Sequence, residues 1–275
     1  MPHRLSSRGL SCCCGAHGTH GGHDGHARPS REAQRGGNEP EHREEDKSLF
    51  FLTKYSILIP VHNELRNIPT LLDCLKFYRN EGHEILIIDD GSEDGSTDIL
   101  KRCKYIKLIC LRENKGKGFA LKVGLTNANN DKILIYDSDM ELDPAEISKL
   151  MILKKNVRYA MGYRFKSLSP FRSNLDWGNF MFTSFFNILF KSQHKDILCC
   201  AKVFYKSDLK GYDIISNKFD IDIELASLYT IISRGKRVPQ IFLNYNRRTM
   251  EEGKKLKVSD GWSILSRIIK MTKYL

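Results

Sequence analysis

Two closely spaced acids follow a short apolar segment in the middle of the chain. Residues 132–136 read Lys-Ile-Leu-Ile-Tyr, Asp137 and Asp139 come next, and Glu141 lies two positions further on. A short apolar segment flanked by polar residues predicts a buried strand, and alternation along an extended chain points the three acids to one side. Acidic oxygens suit a hard divalent cation, so the pattern predicts a Mg²⁺ or Mn²⁺ site. The alternative is that the acids are ordinary loop residues that cap the helix expected near Pro144.

Strand-like and helix-like segments alternate along the chain from residue 54 onwards. The predicted elements, in chain order, are strands at 55–61, 84–90, 106–111 and 132–136 with helices between them, a helix after Pro144, a strand at 158–162, an aromatic-rich segment at 168–190, a strand near 199–205, a helix at 219–233, a strand near 238–245 and a C-terminal helix. This alternation predicts right-handed βαβ units and an α/β fold with a doubly wound, mostly parallel sheet. Ligands bind beyond the carboxyl ends of the strands in such a sheet, where Asp137 and Asp139 fall.

The first 47 residues differ in composition from the rest. They contain eight of the 20 glycines and six of the nine histidines, and they lack Ile, Val, Phe, Tyr and Trp. Because so little apolar surface cannot offset the entropy lost on ordering, residues 1–47 are predicted to be a disordered low-complexity tail. The Cys and His residues of this tail fit no zinc-ligand spacing well. The folded domain is therefore expected to comprise residues 48–275.

The excess of basic residues lies entirely in the predicted folded domain. Residues 48–275 carry 37 Lys and Arg against 26 Asp and Glu, which accounts for the net charge of +11. A basic balance suggests nucleic-acid binding, but no recognisable nucleic-acid-binding motif accompanies it, so no nucleic-acid partner is expected. The cysteines beyond the tail show no disulfide-framework spacing and there is no secretory segment, which favours a reduced, cytosol-facing protein. No apolar run reaches the ~20 residues that a transmembrane helix needs.

Further polar motifs follow the first three predicted strands. Residues 60–64 read Pro-Val-His-Asn-Glu, and Asp89 and Asp90 begin a turn rich in Gly and Ser. Acids at this place can accept hydrogen bonds from a base or ribose hydroxyl; the alternative is a tight turn in which Ser96 or Thr97 caps a helix. After the third strand, two lysines in a glycine-rich segment open a helix, which suits an anionic ligand. The chain has no P-loop and no dinucleotide-binding glycine motif after its first strand.

These four motifs, in this order, resemble those of the family 2 glycosyltransferases, which have the GT-A fold. They are Pro-Val-His-Asn-Glu at 60–64, Asp-Asp-Gly-Ser-Glu-Asp-Gly-Ser at 89–96, Glu-Asn-Lys-Gly-Lys-Gly-Phe-Ala-Leu at 113–121 and Asp-Ser-Asp at 137–139. The resemblance continues at 162–164, 195–202 and 219–225, and it covers nearly all of residues 54–275. Within the family, the chain looks most similar to the dolichyl-phosphate mannose and glucose synthases and to prokaryotic polyprenyl-phosphate sugar transferases. This implies a nucleotide-sugar half at about 54–143 and an acceptor half at about 144–275.

The resemblance implies roles for individual residues of the nucleotide-sugar half. Those implied to bind the nucleotide sugar are Pro60, His62, Glu64, Asp89, Asp90 and Lys117. Those implied to hold the divalent metal, Mg²⁺ or Mn²⁺, are Asp137, Asp139 and Glu141. The chain departs from its relatives at several places: the family often has Tyr at the position of His62, close relatives often have Gln or His at the position of Glu141, and the run Cys199-Cys200-Ala201-Lys202 replaces Cys-Gly-Phe-Lys.

The implied reaction is inverting transfer of a hexose from GDP-mannose or UDP-glucose to a polyprenyl (dolichyl-type) phosphate. A lipid phosphate is already anionic, so it needs positioning rather than a general base, and arginine suits phosphate because its fork binds two oxygens. The basic residues predicted to bind the acceptor phosphate are Arg164, Arg172, Arg247 and Lys254. Asp196 and Asp222 are predicted to act either as general bases or as groups that orient the acceptor. The predicted catalytic set is thus Asp137, Asp139, Arg164, Asp196 and Asp222.

Two apolar segments bear on where this reaction takes place. Residues 177–190 and 262–270 either lie in the headgroup layer of a membrane or form core helices beside the acceptor. The first reading predicts peripheral attachment at the cytosolic face of a membrane. Two other functions stay open: a glycosyltransferase of the same fold that acts on a saccharide hydroxyl in cell-envelope polysaccharide synthesis, and a catalytically silent nucleotide-binding subunit.

Overall fold

The computed structural model of the protein describes residues 54–165, 174–233, 238–248 and 260–275. The predicted tail, Arg172 and Lys254 lie outside the described residues, so the expectations for them stay predictions. Seven strands and seven α-helices make up the regular structure of the described part. The strands are β1 (Tyr55–Val61), β2 (Glu84–Asp89), β3 (Lys107–Cys110), β4 (Lys132–Ile135), β5 (Tyr159–Tyr163), β6 (Lys202–Tyr205) and β7 (Gln240–Phe242).

The helices connect and flank these strands. They are α1 (Ile68–Asn80), α2 (Ser96–Arg102), α3 (Lys117–Asn127), α4 (Ile147–Leu150), α5 (Asn174–Phe190), α6 (Ile221–Ile232) and α7 (Asp260–Met271), with short 3₁₀ turns at Pro144–Glu146, Lys206–Leu209 and Thr272–Tyr274. The predicted strands and helices are present in the described part, with ends that differ by a few residues. The aromatic-rich segment, for which no element type was predicted, contributes the helix α5.

The strands form one seven-stranded sheet in the order β3-β2-β1-β4-β6-β5-β7. β1 pairs in parallel with β2 and β4, β2 pairs in parallel with β3, and β5 pairs in parallel with β7. The exception is β6, which runs antiparallel to both β4 and β5. The predicted doubly wound, mostly parallel α/β sheet is therefore confirmed. From β1 the chain winds to one side through β2 and β3, and β4 then pairs with the other side of β1, which creates a switch point for ligand binding.

Continuous apolar sequence places β1 in the centre of the sheet. All seven residues of β1 are buried, as expected for a parallel strand that is covered on both faces. Alternate side chains enter different layers of the core: Ile57 packs with Leu71 of α1, and Leu58 packs with Leu121 of α3. The two layers hold β1 and β4 rigidly side by side, so the residues that follow these strands have fixed positions.

The turn after β2 differs from the prediction at one residue. Ser96 was expected to cap α2, but the N-cap position is taken by Gly95 with φ of +93°. The hydroxyl oxygen of Ser96 instead accepts the backbone N–H of Glu64 at 3.0 Å, while the backbone N–H of Ser96 donates to Asp94 at 3.0 Å. The capping prediction for Ser96 is wrong because its side chain links this turn to the segment after β1.

Candidate functional site

A cavity of about 520 Å³ opens at the carboxyl ends of β1 and β4, at the switch point of the sheet. One part of its lining comes from segments that follow β1, β3 and β4, together with Asp90 and the start of α3: Pro60, Val61, His62, Asn63, Glu64, Asp90, Asn114, Gly116, Lys117, Asp137, Ser138, Asp139 and Glu141. The rest comes from the acceptor half: Arg164, Phe165, Asn179, Leu198, Phe219, Asp222, Tyr245, Arg247, Arg248 and Ile264. Most of the predicted site residues within the described ranges thus line one space.

Asp90 fastens the glycine-rich segment to the end of β2. Its two carboxylate oxygens accept the backbone N–H groups of Lys115 and Gly116, each at 2.8 Å. The Nδ1 atom of His62 lies 2.8 Å from the carbonyl oxygen of Asp90, so the motif after β1 is joined to the same point. Gly116 has φ of +94°, and a Cβ there would lie 2.4 Å from the carbonyl oxygen of Asn217. Only glycine therefore fits where the segment enters α3.

Asp89 occupies a different environment from its neighbour. Its carboxylate accepts the backbone N–H of Ser92 at 3.1 Å and the hydroxyl of Thr97, and its side chain is absent from the cavity lining. Both oxygens hold the turn that leads to α2. The structure therefore favours the tight-turn alternative for Asp89, whereas Asp90 lies beside the cavity.

Four charged side chains of alternating sign form a row of ion pairs deep in the cavity and beneath it. Nζ of Lys117 lies 2.9 Å from Oδ1 of Asp137 and 2.9 Å from Oδ2 of Asp222. The other oxygen of Asp222 lies 3.1 Å from Nζ of Lys202, a lysine that is completely buried. Lys202 also donates to the carbonyl oxygen of Cys199. The sequence reasoning assigned no role to Lys202, although it lies in one of the segments that carry the family resemblance.

The ion pairs favour the ionised states of Lys117 and Asp222. Burial alone would lower the pKa of Lys117, but the carboxylates of Asp137 and Asp222 raise it well above its usual value. Burial would raise the pKa of Asp222, and the ammonium groups of Lys117 and Lys202 instead bring it below its ordinary value. Asp222 is therefore a carboxylate with both oxygens in ion pairs. Of its two predicted roles, the geometry favours positioning over general-base catalysis, because a low pKa makes a weak base.

A second ion-pair system links the acids after β1 and β4 to a residue near the end of the acceptor half. Nη1 and Nη2 of Arg248 each lie 3.0 Å from an oxygen of Glu64, and Nη2 lies 3.9 Å from Oδ2 of Asp139. Oε1 of Glu141 accepts the backbone N–H of Arg248 at 3.0 Å. Arg248 was not among the predicted site residues, although it directly follows Arg247. Its contact with Glu64 spans most of the domain in sequence, so local patterns could not reveal it.

The three acids after β4 do not form the cluster that simple alternation predicts. Met140 has φ of +60°, so the backbone turns between Asp139 and Glu141 rather than staying extended. Within the described ranges, no group of three or more His, Cys, Asp or Glu side chains has metal-ligand spacing. The expectation of one extended segment from Asp137 to Glu141 is thus wrong, because Met140 interrupts it, although all three acids line the cavity.

Two of these acids nevertheless fit a divalent cation that takes further oxygens from a substrate. Oδ1 of Asp137 is buried and, among the described residues, accepts no hydrogen bond despite its proximity to Lys117. Burial, and then the negative charges of Asp137 and Glu141, raise the pKa of Asp139 to about 7. Crowded carboxylates favour a cation beside them. Mg²⁺ commonly binds through one or two carboxylates plus substrate phosphates, so Asp137 and Asp139 are a sufficient protein contribution.

On the acceptor side, a buried carboxylate fixes an arginine at the cavity wall. Nε and Nη2 of Arg164 lie 2.8 and 3.0 Å from the two oxygens of Asp196, and Asn179 donates to the same carboxylate at 3.0 Å. Asp196 is fully buried; burial would raise its pKa, but the charge of Arg164 and the hydrogen bonds lower it. The oxygens of Asp196 hold Arg164 rather than face the cavity, so Asp196 is placed to position Arg164 and not to contact an acceptor directly.

A second arginine lies beside the same aromatic ring. The guanidinium carbons of Arg164 and Arg247 lie 5.2 and 5.8 Å from the centre of the Tyr245 ring. Arg247 also donates to Asp176 and, at 3.3 Å, to the hydroxyl of Tyr245. Two positive charges therefore converge on one part of the wall, next to the apolar side chain of Phe165. Arg164 and Arg247 are the described members of the predicted acceptor-phosphate set.

Comparisons with known proteins agree with this architecture. Residues 56–211 match the model of glycosyl transferase family 2. Undecaprenyl-phosphate 4-deoxy-4-formamido-L-arabinose transferases of Yersinia pestis (strain Pestoides F) and Yersinia pseudotuberculosis (serotype O:3) are 34% identical to the chain over 109 residues. That alignment covers 36% of this chain and 33% of each relative, so the match spans only a third of their length.

Solved structures show the same fold at low sequence identity. Glucosyl-3-phosphoglycerate synthase from Mycobacterium tuberculosis, in complex with Mn²⁺, uridine diphosphate and glucosyl-3-phosphoglycerate, superposes with a TM-score of 0.65 at 13% identity. The superposition covers 86% of this chain and 87% of that one. The predicted GT-A fold is thereby confirmed. Since the family model matches more than half of the sequence and the sheet has the expected topology, the chain belongs to glycosyl transferase family 2.

Proposed function

We propose that the protein is an inverting glycosyltransferase that moves a hexose from a nucleotide-diphosphate sugar to a polyprenyl phosphate. The observation that carries the proposal is the single cavity in which strand-end carboxylates meet two arginines set among aromatic and aliphatic side chains. Carboxylates and a lysine at the switch point suit a metal–diphosphate group. Arginines beside apolar residues suit a phosphate that carries a hydrocarbon chain. The resemblance to undecaprenyl-phosphate sugar transferases supports the same acceptor class.

The donor is proposed to bind beside the glycine-rich segment and Asp137. Lys117 lies at the first position of α3, where the helix dipole and its ammonium both favour an anion. Asp137 and Asp139 would hold a divalent cation, which would neutralise the charge that develops on the leaving diphosphate. A structure of the same fold contains Mn²⁺ with uridine diphosphate, which supports this cofactor class. His62 and Asp90 then contribute the polar wall for the nucleoside, for which GDP-mannose and UDP-glucose are the proposed alternatives.

The acceptor half favours a nucleophile that is already ionised. The two aspartates predicted as candidate bases, Asp196 and Asp222, are both held as carboxylates by buried ion pairs. Acids with lowered pKa are poor proton acceptors, so neither suits deprotonation of a sugar hydroxyl. A lipid phosphate needs no such step and requires only to be held in line with the anomeric carbon, which Arg164 and Arg247 can do. This argument ranks the saccharide-acceptor alternative second.

Two helices beside the cavity expose apolar side chains that suit a membrane surface. On α5, Trp177 and Ile188 are 53% and 75% exposed, and they lie on the face opposite the buried Asn179. On α7, Trp262 is 78% exposed, whereas Ile264 faces the cavity. The two helices contact each other, and the exposed Lys270 and Lys273 lie at the end of α7.

Exposed Trp with nearby Lys is typical of helices that lie in the headgroup region of anionic lipid. We therefore propose peripheral attachment at the cytosolic face of a membrane, with the lipid acceptor entering from the side of α5 and α7. None of the helices in the described part of the chain has both the length and the apolar character needed to cross a bilayer.

Transfer to lipid should require the metal-binding carboxylate. With radiolabelled GDP-mannose or UDP-glucose, polyprenyl phosphate and Mn²⁺, we expect label in the lipid phase from one donor and none when EDTA replaces Mn²⁺. The variant Asp139→Asn should lower turnover by about 100-fold or more, because it removes a charge that holds the cation. The control Asp73→Asn changes an exposed acid on α1 and should keep wild-type turnover. Wild-type turnover in Asp139→Asn, or EDTA-insensitive transfer, would contradict the metal assignment; absence of lipid product from both donors would refute the proposed function.

Replacement of Arg164 should weaken acceptor binding without affecting the donor. Arg164→Lys keeps the charge but breaks the two-point contact with Asp196, so the KM for polyprenyl phosphate should rise by about tenfold. The KM for the nucleotide sugar should stay within twofold of wild type. Arg158→Lys is the matched control, since Arg158 makes the same two-point contact with Asp208 outside the cavity lining. Equal effects of the two replacements on the acceptor KM would show that Arg164 has only a structural role.

Removal of the exposed tryptophans should reduce membrane binding. In sedimentation with vesicles that contain anionic lipid, the double variant Trp177→Ser/Trp262→Ser should bind about tenfold more weakly than wild type, because it removes two large apolar surfaces from the interface. Phe77→Ser is the control, because Phe77 is 60% exposed on α1, on the opposite side of the sheet core. Unchanged vesicle binding by the double variant, or equal loss in the control, would exclude this surface as the membrane contact.

A further inference from the structure

Lys117 occupies the position where a cation is expected beside Asp137. Its ammonium lies 2.9 Å from Oδ1 and 3.0 Å from Oδ2 of Asp137, so both oxygens of the proposed metal ligand face a positive charge supplied by the protein itself. We propose that Lys117 is an internal counter-ion of Asp137 that makes divalent-cation binding conditional on the diphosphate of the donor. This inference rests on the metal site of the proposed function. It adds that the cation binds tightly only when the donor diphosphate is present.

The ammonium is anchored rather than loosely placed. A second carboxylate, that of Asp222, lies 2.9 Å from Nζ of Lys117, and the side chain of Lys117 is only 8% exposed. Asp222 is in turn paired with the completely buried Lys202 at 3.1 Å. The four side chains carry two positive and two negative charges, so the group is neutral as it stands. A dication that binds to Asp137 alone would leave this group with an excess of positive charge in a region with little water to screen it.

A diphosphate removes this obstacle because it brings negative charge to the same place. A lysine ammonium has three N–H donors, and two of them are directed at Asp137 and Asp222. Since Lys117 lines the cavity, a phosphate oxygen can accept from the ammonium and share it with Asp222. Asp137 is then released to ligate the cation together with Asp139. Cation and diphosphate therefore bind with positive coupling, and Lys117 is the residue that produces part of this coupling.

The test is a Mn²⁺ titration of the substrate-free protein, followed by the electron paramagnetic resonance signal of free Mn²⁺. Wild type should bind Mn²⁺ alone weakly, and Lys117→Met should bind it about tenfold more tightly, because a positive charge next to the ligand is removed. Lys117→Arg keeps the charge and should bind Mn²⁺ as weakly as wild type. Repetition with GDP or UDP present should show that the nucleotide tightens Mn²⁺ binding by a smaller factor in Lys117→Met than in wild type.

The matched control is Lys122→Met, on the same helix. Its Nζ lies at the exposed surface, 2.6 Å from Oδ1 of Asn217, so the variant has the same net charge as Lys117→Met without a change beside Asp137. Its Mn²⁺ affinity should stay within twofold of wild type. The proposal is overturned if Lys117→Met and Lys122→Met bind Mn²⁺ equally, or if Lys117→Arg binds Mn²⁺ as tightly as a neutral replacement.

Thermal unfolding of each variant establishes that it is folded, and Lys117→Gln replaces Lys117→Met if the latter is not. Failure of the counter-ion proposal is distinguishable from failure of the proposed function. If lipid product forms but the Lys117 variants leave Mn²⁺ affinity unchanged, only the counter-ion role is refuted. If the Mn²⁺ affinities shift as expected but no donor yields lipid product, the counter-ion role is supported and the assigned reaction is refuted.

Discussion

The site depends on the mutual neutralisation of four charges, of which Asp222 and Lys202 are buried while Lys117 and Asp137 line the cavity. Asp137 follows β4, Lys117 begins α3, Asp222 lies in the first turn of α6 and Lys202 begins β6, so one chain of ion pairs ties together elements far apart in sequence. Loss of one member leaves an uncompensated buried charge, which costs about 3–5 kcal/mol in comparable cases. The carboxylate that is proposed to hold the metal is therefore positioned by the same contacts that join the donor half to the acceptor half.

A similar principle operates on the acceptor side. Asp196 is buried, and both of its carboxylate oxygens accept hydrogen bonds from Arg164. The arginine is therefore fixed at the cavity wall and has little conformational freedom to lose when it binds a phosphate. The ring of Tyr245 is close to both Arg164 and Arg247. Asp196 and Asp222 thus each hold basic side chains in place. That arrangement matches an acceptor that arrives with its own negative charge.

Sequence patterns predicted the parts of this account that depend on local structure. The strand at 132–136 was predictable because a buried parallel strand is apolar throughout, and the place of Asp137 followed because ligands bind at the carboxyl ends of such strands. The glycine-rich segment at the start of α3 and the cavity position of Asp90 followed from the same rule. The aromatic-rich segment was predicted either to lie in the headgroup layer or to form a core helix beside the acceptor; part of it forms α5, which contributes Asn179 to the cavity.

Other features could not be predicted because they arise from contacts between distant residues. Nothing local distinguishes Asp89 from Asp90, yet one holds its own turn and the other lines the cavity. The antiparallel direction of β6 depends on how the chain returns after α5, and the pairing of Lys202 with Asp222 depends on that strand. Met140, a non-glycine residue with positive φ, turned Glu141 away from the alternation that an extended segment would give.

The most direct test of the account compares acceptors that differ only in the presence of the phosphate. Polyprenyl phosphate, the corresponding polyprenol and a soluble saccharide would each be supplied with the same labelled nucleotide sugar and Mn²⁺, and the initial rates would be measured. The account predicts label on polyprenyl phosphate and rates at least 100-fold lower for both hydroxyl acceptors, because Asp196 and Asp222 are committed to ion pairs and the arginines require an anion. Comparable or faster transfer to the polyprenol or the saccharide would contradict it.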